Sequence, residues 1–238
     1  MIRSDVRLEH RGVVHYCNHC AVRHLSICAG LERDVLSRMS QLCAHQRIQP
    51  GVCLIEEGQP AEYVFTVVDG MVKLYKLMPD GRRQVTGFLI KGDFVGLAYG
   101  DNYIYTAEAV VPTLACRIKR SQFHNMMEDH PSLERNLLSR ASTELAAAQG
   151  QMLLLGRKTA RERLATFLLG LAQRLDRKEG DVVLLPMGRS DIADFLGLTV
   201  ETVSRTFTAM RKDGTLARVD KAGIVIADMA QLARVAGD

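Results

Sequence analysis

The sequence predicts an α+β protein, and three observations indicate that fold class. Short β-type runs separated by turn residues fill the region 47–120, a long helical stretch follows at 131–157, and two short helices precede a β-hairpin near the C-terminus. Many short strands with regular turn signals are typical of a β-barrel or sandwich. We therefore expect a cysteine-rich segment at 1–32, a β-domain at 33–130, then the long helix, and a helix-turn-helix domain at 158–238.

The composition excludes several classes of protein. The chain has 238 residues, of which 47% are hydrophobic and 24% charged, which is unlike a disordered protein. No apolar run approaches the ~20 residues needed to cross a bilayer, so we expect no membrane insertion. The N-terminus is charged and shows no apolar signal segment, which predicts a cytoplasmic protein. In that reducing compartment, the six cysteines are expected to be metal ligands or redox groups rather than disulfides.

Three cysteines are clustered near the N-terminus, with the spacing Cys17-x₂-Cys20-x₇-Cys28. This spacing places three thiolates on one short loop, where they can meet a single metal centre. An iron–sulfur cluster needs four thiolates, so a fourth ligand must come from elsewhere in the chain. The residues alone leave two groups of candidates, the cysteines Cys43, Cys53 and Cys116 and the histidines His15, His19 and His24.

Two of those cysteines are predicted to be core thiols. Cys43 lies at the end of a short amphipathic helix, about residues 32–43, and Cys53 lies in an apolar strand. Cys116 is near the end of a strand, from which a side chain can reach the N-terminal loop. Zinc held by three thiols and a histidine is one alternative, and cysteines without any metal are another.

The strands of the β-domain are short. Five runs have β-type composition, and they are 52–55, 63–68, 72–77, 84–90 and 113–118. Turn sequences such as Asp69-Gly70 separate them. Because no helical pattern lies between these runs, a parallel βαβ sheet is not expected.

The helix at 131–157 carries a heptad pattern. Its apolar a and d positions, spaced alternately by three and four residues, are Leu138, Ala141, Leu145, Ala148, Met152 and Leu155. A stripe this narrow, placed between two differently patterned domains, favours pairing with a second copy of the chain. The alternative is that the same face packs on its own domain.

Two helices joined by a glycine turn follow, at about 190–211. Ser190 and Thr199 are expected to cap them, with Gly197 in the turn. The residues predicted to face inward are Ile192, Ala193 and Leu196 in the first helix and Val203, Phe207 and Met210 in the second. A β-hairpin over 214–226 follows as a wing, so the sequence predicts a winged helix-turn-helix that binds double-stranded DNA.

The second of these helices presents residues suited to base edges in the major groove. Arg205 can donate two hydrogen bonds to guanine, Glu201 can accept one from cytosine N4, and Ser204 can bond either base. Val200 can contact a thymine methyl group. A dimer would present two such helices, so we expect an inverted-repeat operator.

An enzymatic function has no candidate residues. The sequence contains no Gly-rich phosphate loop, paired-carboxylate site or nucleophile elbow. A redox enzyme that uses the cysteines is the rival class, but we expect a regulator and not an enzyme.

The whole pattern resembles the CRP/FNR superfamily of bacterial regulators. The resemblance is carried by residues 198–205 (LTVETVSR), by residues 84–96 (QVTGFLIKGDFVG) and by the N-terminal cysteines, and it covers nearly the whole chain. It is greatest to the oxygen-responsive FNR branch, which includes the FnrN, FnrL and FixK type. It implies a β-roll of cyclic-nucleotide-binding type, a long dimerisation helix and a C-terminal winged helix-turn-helix. It also implies a homodimer that binds palindromes with TTGAT-like half-sites and contacts RNA polymerase to activate transcription.

The same resemblance selects the metal ligands. The family's distant fourth cysteine lies in a segment similar to residues 114–118. The implied ligands of an oxygen-labile [4Fe–4S] cluster are therefore Cys17, Cys20, Cys28 and Cys116. Loss of the cluster in oxygen would weaken dimerisation and DNA binding. A FixK-like regulator of the same fold, without a cluster or with zinc at the cysteines, is the alternative.

Cyclic nucleotide is not expected as a ligand. Cyclic-nucleotide sensors of this superfamily carry an Arg-Ser/Thr-Ala motif that holds the phosphate, whereas the similar stretch here is Tyr105-Thr106-Ala107. A tyrosine lacks the charged, bidentate donor that an arginine offers to a phosphodiester.

Overall fold

The computed structural model describes residues 7–8, 16–97, 100–220 and 223–237. The chain divides into two compact units. The first consists of Met1–Pro79 and Thr86–Ala146, and the second of Asp80–Val85 and Ala147–Asp238. Helices and sheets occur in both, so the predicted α+β class is confirmed.

Two antiparallel sheets form the β-roll. Their strands, in chain order, are β1 (Arg7–Leu8), β2 (Ala44–Ile48), β3 (Cys53–Ile55), β4 (Tyr63–Asp69), β5 (Val72–Leu77), β6 (Arg83–Leu89), β7 (Phe94–Val95), β8 (Thr106–Ala109) and β9 (Thr113–Lys119). One sheet has the order β1-β2-β9-β4-β7 and the other β3-β8-β5-β6. The five predicted runs correspond to β3, β4, β5, β6 and β9. The strands that were not predicted are short or polar, and β2 (AHQRI) has apolar residues only at its two ends.

Two helices before the long one cover the sheet that contains β9. They are α1 (Arg33–Leu42), which was predicted, and α2 (Arg120–Asp129), which was not. Together with the start of α3 (Pro131–Arg157) they share one apolar core, in which the tilted rings of Phe94 and Phe123 have centroids 5.4 Å apart. Leu133, in the first turn of α3, is fully buried in the same core. This burial fixes the start of the long helix to the β-roll.

The second unit contains the helix-turn-helix. Its elements after α3 are α4 (Ala160–Arg174), β10 (Val182–Val183), α5 (Arg189–Leu196), α6 (Val200–Lys212), β11 (Leu216–Val219), β12 (Ile224–Ile226) and α7 (Met229–Ala236). The three strands form a sheet with the order β10-β12-β11. The antiparallel pair β11–β12 is the predicted wing, and its tip at residues 221–222 lies outside the described residues.

The cap predicted for α5 was wrong. The N-cap is Gly188, which has extended backbone and no side-chain hydrogen bond, and Ser190 lies inside the first turn. The helix starts two residues earlier than a cap at Ser190 would place it, because Arg189 already has helical geometry. The cap predicted for α6 was right, since the Thr199 hydroxyl accepts a hydrogen bond of 3.2 Å from the Thr202 amide.

Across the described ranges, none of the helices combines the length and apolar character needed to cross a bilayer.

Candidate functional site

A cavity of about 40 Å³ in the first unit collects most of the cysteines. Five of the six cysteines line it, and they are Cys17, Cys20, Cys28, Cys43 and Cys116. The rest of its wall is mostly apolar and includes Ile27, Leu36, Met39 and Phe94. Cysteines that are far apart in the sequence therefore surround one partly enclosed space.

The N-terminal cysteines are held by a series of tight turns. Cys17 lies on a short 3₁₀ helix, Tyr16–His19, and Cys28 follows a second one, Arg23–Leu25. The buried Ser26 joins the turns, because its hydroxyl donates to the Arg23 carbonyl (3.0 Å) and accepts from the Cys28 amide (3.2 Å). These bonds fix the backbone that carries Cys28 next to the cavity.

The same segment is tied to α3. The Asn136 side-chain amide donates to the carbonyl oxygens of Ile27 (2.9 Å) and Ala29 (2.8 Å). The Arg140 guanidinium donates to the carbonyl oxygen of Leu25. The backbone on both sides of Cys28 is thus hydrogen-bonded to side chains of the long helix.

The segment also contacts a glycine turn of the β-roll. Gly92 has a φ of +92°, and a Cβ placed on it would lie 2.6 Å from the Leu25 Cβ and 2.8 Å from the Leu25 carbonyl oxygen. Only glycine fits this close approach in the left-handed region. Position 92 therefore requires glycine both because its backbone is left-handed and because Leu25 lies too close for a Cβ atom.

Cys116 approaches the cavity from an interior strand. Strand β9 lies between β2 and β4, so that Cys116 is opposite His45 on one side and Thr66 on the other. Among the described histidines, His45 lines the cavity. His19 and His24, which the sequence offered as candidate ligands, do not line it. His15, the third histidine named from the sequence, lies outside the described residues.

The structure separates the three candidates for a fourth ligand. Cys116 and Cys43 both reach the cavity, and Cys53 does not line it. Cys53 lies on β3, opposite Glu108, and its thiol has Tyr75 as a hydrogen-bond partner. The position of Cys43 was missed because the amphipathic pattern of α1 marks it as an ordinary core residue.

Three of the thiols around the cavity have raised pKa values. Burial raises the pKa of Cys28 to about 12, and a hydrogen bond with Cys116 raises that of Cys43 to about 12. A hydrogen bond with Cys43, together with burial, raises the pKa of Cys17 far above its usual value. A metal bound here would have to displace these protons. As the side chains of the described residues stand, they form no group of three or more His, Cys, Asp or Glu arranged to hold a metal ion.

The second unit carries a separate candidate site, the helix-turn-helix. All six residues predicted to face inward are buried at 2% exposure or less. Gly197 between the helices has a φ of +61°, and a Cβ there would lie 3.2 Å from Leu155 Cδ2. The turn is therefore packed closely against the end of α3.

The start of α6 is exposed. Val200, Glu201, Ser204 and Arg205 all lie on its solvent side, and Val200 is 45% exposed despite being apolar. On the opposite side, the guanidinium of Arg189 lies 3.6 Å from the centre of the Phe207 ring. The buried side fixes the helix, and the exposed side is available to a ligand.

The heptad face of α3 is largely uncovered in a single chain. Leu138 is 68% exposed, Leu145 61% and Met152 73%, while Ala148 is exposed and Ala141 and Leu155 are half-buried. Apolar side chains this exposed along one helix are characteristic of a surface that another molecule covers.

Two domain families match the sequence. The cyclic nucleotide-binding domain matches residues 45–130, and the Crp-like helix-turn-helix domain matches residues 162–235. The transcriptional activatory protein AadR of Rhodopseudomonas palustris is 45% identical over 197 residues, which is 82% of each chain. The chain belongs to the CRP/FNR family.

Other members of the CRP/FNR family are similar over most of this chain. The transcriptional activator protein FnrL of Cereibacter sphaeroides is 38% identical and covers 95% of this chain and 94% of its own. The structure of FixK2 from Bradyrhizobium japonicum has a TM-score of 0.77 at 39% identity, covering 82% of this chain and 97% of that one. As a CRP/FNR protein, this chain is a DNA-binding transcription regulator with a β-roll and a helix-turn-helix.

Proposed function

We propose that this CRP/FNR protein is an oxygen-responsive transcription activator whose [4Fe–4S] cluster controls dimerisation and binding to TTGAT-type palindromes. The ligands would be Cys17, Cys20, Cys28 and Cys116. The observation that carries this proposal is the single apolar cavity lined by all four of these cysteines.

The donor set fits such a group. Iron–sulfur clusters are bound by four thiolates, and this cavity offers four expected ligands and one further thiol. When bound, the cluster supplies a centre that dioxygen can attack. Apolar side chains around the cavity keep bulk water away from the thiols, and the N-terminal segment covers them.

The chain's own residues offer a route from the cysteines to the dimer surface. The backbone next to Cys28 is hydrogen-bonded by Asn136 and Arg140 of α3. Ligation would order this segment, and the segment in turn would fix the first turns of the helix. Leu138 and Leu145 follow on the exposed face of the same helix, so order at Cys28 favours the arrangement in which two helices pair.

Paired helices would place two copies of α6 on one operator. Arg205, Glu201 and Ser204 would contact base edges, and Val200 a thymine methyl group. A change from mostly inactive to mostly active needs a differential stabilisation of about 5 kcal/mol. The relatives AadR and FnrL are named transcriptional activators, which supports activation through RNA polymerase as the output.

Cyclic nucleotide is not the proposed signal. The Tyr105 hydroxyl accepts a hydrogen bond of 3.0 Å from the Gly96 amide. This amide is therefore bonded to the tyrosine instead of to a phosphate. The side chain is mostly buried, and burial raises its pKa to about 12. A neutral phenol at this position offers a phosphate no positive charge.

Anaerobic purification of the full chain tests the proposal. We expect a brown protein with about four iron and four sulfide per chain that bleaches in air. Cys116→Ser should lose most of this iron, and Cys53→Ser, which changes the cysteine outside the cavity, should keep it. A colourless wild-type protein, or equal iron content in the two variants, contradicts the proposal.

A FixK-like regulator without a cluster is the second candidate. It is favoured by one observation, that the described side chains form no group ready to hold a metal ion. The similarity to FixK2 is compatible with it. The same purification distinguishes the two, because this candidate binds its palindrome with full affinity after iron is removed. Stoichiometric zinc without iron would instead identify the cysteines as a zinc site.

A further inference from the structure

Cys43 is the thiol of the cavity that the proposed ligand set does not use. It follows α1 directly and is the C-cap of that helix. Its backbone amide donates a hydrogen bond of 3.0 Å to the Met39 carbonyl oxygen. Its sulfur lies 3.8 Å from the sulfur of Cys17, although the two residues are 26 positions apart in the sequence. Two thiols this close together are positioned for thiol–disulfide exchange with an oxidant.

The geometry favours Cys17 over Cys116 as the partner of Cys43. Strand β2 pairs with β9 with Ala44 opposite Arg117, so continuing the register places Cys43 opposite Ile118. Cys116 is then a diagonal neighbour, at a Cα separation of about 7–8 Å. Disulfides usually span Cα separations of up to about 6.8 Å; Cys116 lies within β9 and Cys43 directly precedes β2.

Cys17 is not fixed in that way. It lies on a single-turn 3₁₀ helix, and α1 contacts that turn. A disulfide requires the 3.8 Å contact between the sulfurs to shorten to the ~2.0 Å of an S–S bond, by rotation about the side-chain torsions of Cys17 and Cys43.

We propose that Cys17 and Cys43 form a disulfide when the chain holds no metal, with a small-molecule disulfide such as oxidised glutathione as the oxidant. One protein thiol loses its proton and attacks a sulfur of oxidised glutathione, which gives a mixed disulfide and releases one glutathione thiolate that takes up a proton. The second protein thiol then loses its proton and attacks the protein sulfur of the mixed disulfide, which releases the other glutathione as a thiolate that is protonated in turn. Two protein thiols are oxidised, and one glutathione disulfide is reduced to two thiols.

The disulfide removes a ligand from the cavity. With Cys17 bonded to Cys43, three of the four proposed ligands remain, so a cluster could not be rebuilt until the bond is reduced. This consequence rests on the proposed function, whereas the formation of the disulfide does not.

Peptide mapping of the metal-free chain tests the proposal. The full-length protein is stripped of metal anaerobically, treated with oxidised glutathione, digested with trypsin without reduction and analysed by mass spectrometry. Trypsin places Cys17 in the peptide 12–23 and Cys43 in the peptide 39–47. We expect these two peptides to be linked, at a level at least tenfold above that in untreated protein.

Three variants assign the bond. Because Cys20 shares its tryptic peptide with Cys17, Cys17→Ser should abolish the link and Cys20→Ser should retain it. Cys53→Ser, outside the cavity, should also retain it. A link from the peptide 39–47 to the one containing Cys116, or only mixed disulfides with glutathione, would overturn the proposal.

Iron uptake separates this inference from the proposed function. After oxidation, wild-type protein should take up at least tenfold less iron and sulfide than after dithiothreitol treatment. Cys43→Ala and Cys43→Ser should show no such difference between the two treatments. If the link forms but reduced protein never binds a cluster, the proposed function fails and the disulfide stands. If reduced protein binds a cluster and no link forms, the disulfide proposal fails and the proposed function stands.

Discussion

Arg163 donates a hydrogen bond of 2.9 Å to the carbonyl oxygen of Leu155, in the last turn of α3. The same guanidinium donates to the Leu196 carbonyl (2.8 Å) at the end of α5, and its Nε donates to the Lys158 carbonyl (2.9 Å). One side chain from α4 therefore satisfies the free carbonyl ends of two helices. It joins the end of α3 to the helix-turn-helix.

Replacing Arg163 should weaken both stability and DNA binding. Arg163→Met leaves three half-buried carbonyls without this donor, and we expect a loss of about 1.5–3 kcal/mol in the free energy of unfolding. Urea denaturation measures that loss, and operator titration should show weaker binding because α5 is less well fixed. Arg161→Met is the control, since Arg161 forms a partly exposed ion pair with Asp213, of a kind that contributes little to stability. Equal effects of the two substitutions would contradict the role given to Arg163.

Gly92→Ala should disturb the cysteine segment. The new Cβ would lie within 2.8 Å of the Leu25 carbonyl oxygen and would also strain the left-handed backbone. We expect the variant to bind less iron than wild type under anaerobic reconstitution.

Gly81→Ala is the matched control for this experiment. Gly81 has a similar φ of +84°, but nothing lies within 4 Å of the added Cβ. Its cost should be limited to backbone strain of about 1–2 kcal/mol in thermal unfolding, with iron content unchanged. If Gly92→Ala behaves like Gly81→Ala, the contact with Leu25 does not position the cysteines.

Arg205→Ala should reduce affinity for specific DNA without affecting folding. The side chain is exposed at the start of α6, so its removal leaves no cavity. Loss of a bidentate contact to guanine costs about 1–3 kcal/mol, roughly 5- to 150-fold in affinity for each half-site. Fluorescence anisotropy with a palindromic operator and with random DNA measures the difference.

Arg211→Ala, at the exposed end of the same helix, is the control and should weaken binding to both DNAs alike. An equal loss on random DNA for Arg205→Ala would refute base reading.

Leu145→Glu should convert the dimer into a folded monomer. Leu145 is 61% exposed in the single chain, so the substitution is tolerated there. In a symmetric dimer two carboxylates would be buried close together, at a cost of several kcal/mol, or at least about 100-fold in the dimer dissociation constant. Light scattering after size exclusion reports the mass. Thr143→Glu, exposed and off the heptad face, should remain dimeric. A dimeric Leu145→Glu variant would mean that this face is not the interface.

Cyclic AMP should not bind to the β-roll. The Tyr105 hydroxyl already accepts a hydrogen bond from the Gly96 amide, and the stretch between Arg83 and Arg117 contains no other arginine. Calorimetry with millimolar cyclic AMP should give no binding heat, and the melting temperature should not change. Saturable heat with a dissociation constant in the micromolar range would show that the pocket binds the phosphate by another route.

Local patterns in the sequence were sufficient to predict the helix-turn-helix. The spacing of Ile192, Leu196, Val203 and Phe207, with Gly197 between them, encodes two amphipathic helices and the turn that joins them. Each of these features involves residues within one or two helical turns, so the sequence predicts them directly. The long helix and the wing are local in the same sense. The cap of α5 was assigned to the wrong residue because helix ends vary by one or two positions.

The cysteine cavity depends on contacts that no local pattern records. Cys43 looks like an ordinary core residue of an amphipathic helix, and the strand after it is too polar to predict. The pairing of β2 with β9 brings His45 opposite Cys116, and the contact of α1 with the turn Tyr16–His19 brings Cys43 near Cys17. The sequence alone determined which residue types were available as ligands and how the N-terminal ones are spaced. The tertiary structure decided which of the distant thiols share a space, because strand pairing joins segments about 70 residues apart, a separation at which sequence periodicity carries no information.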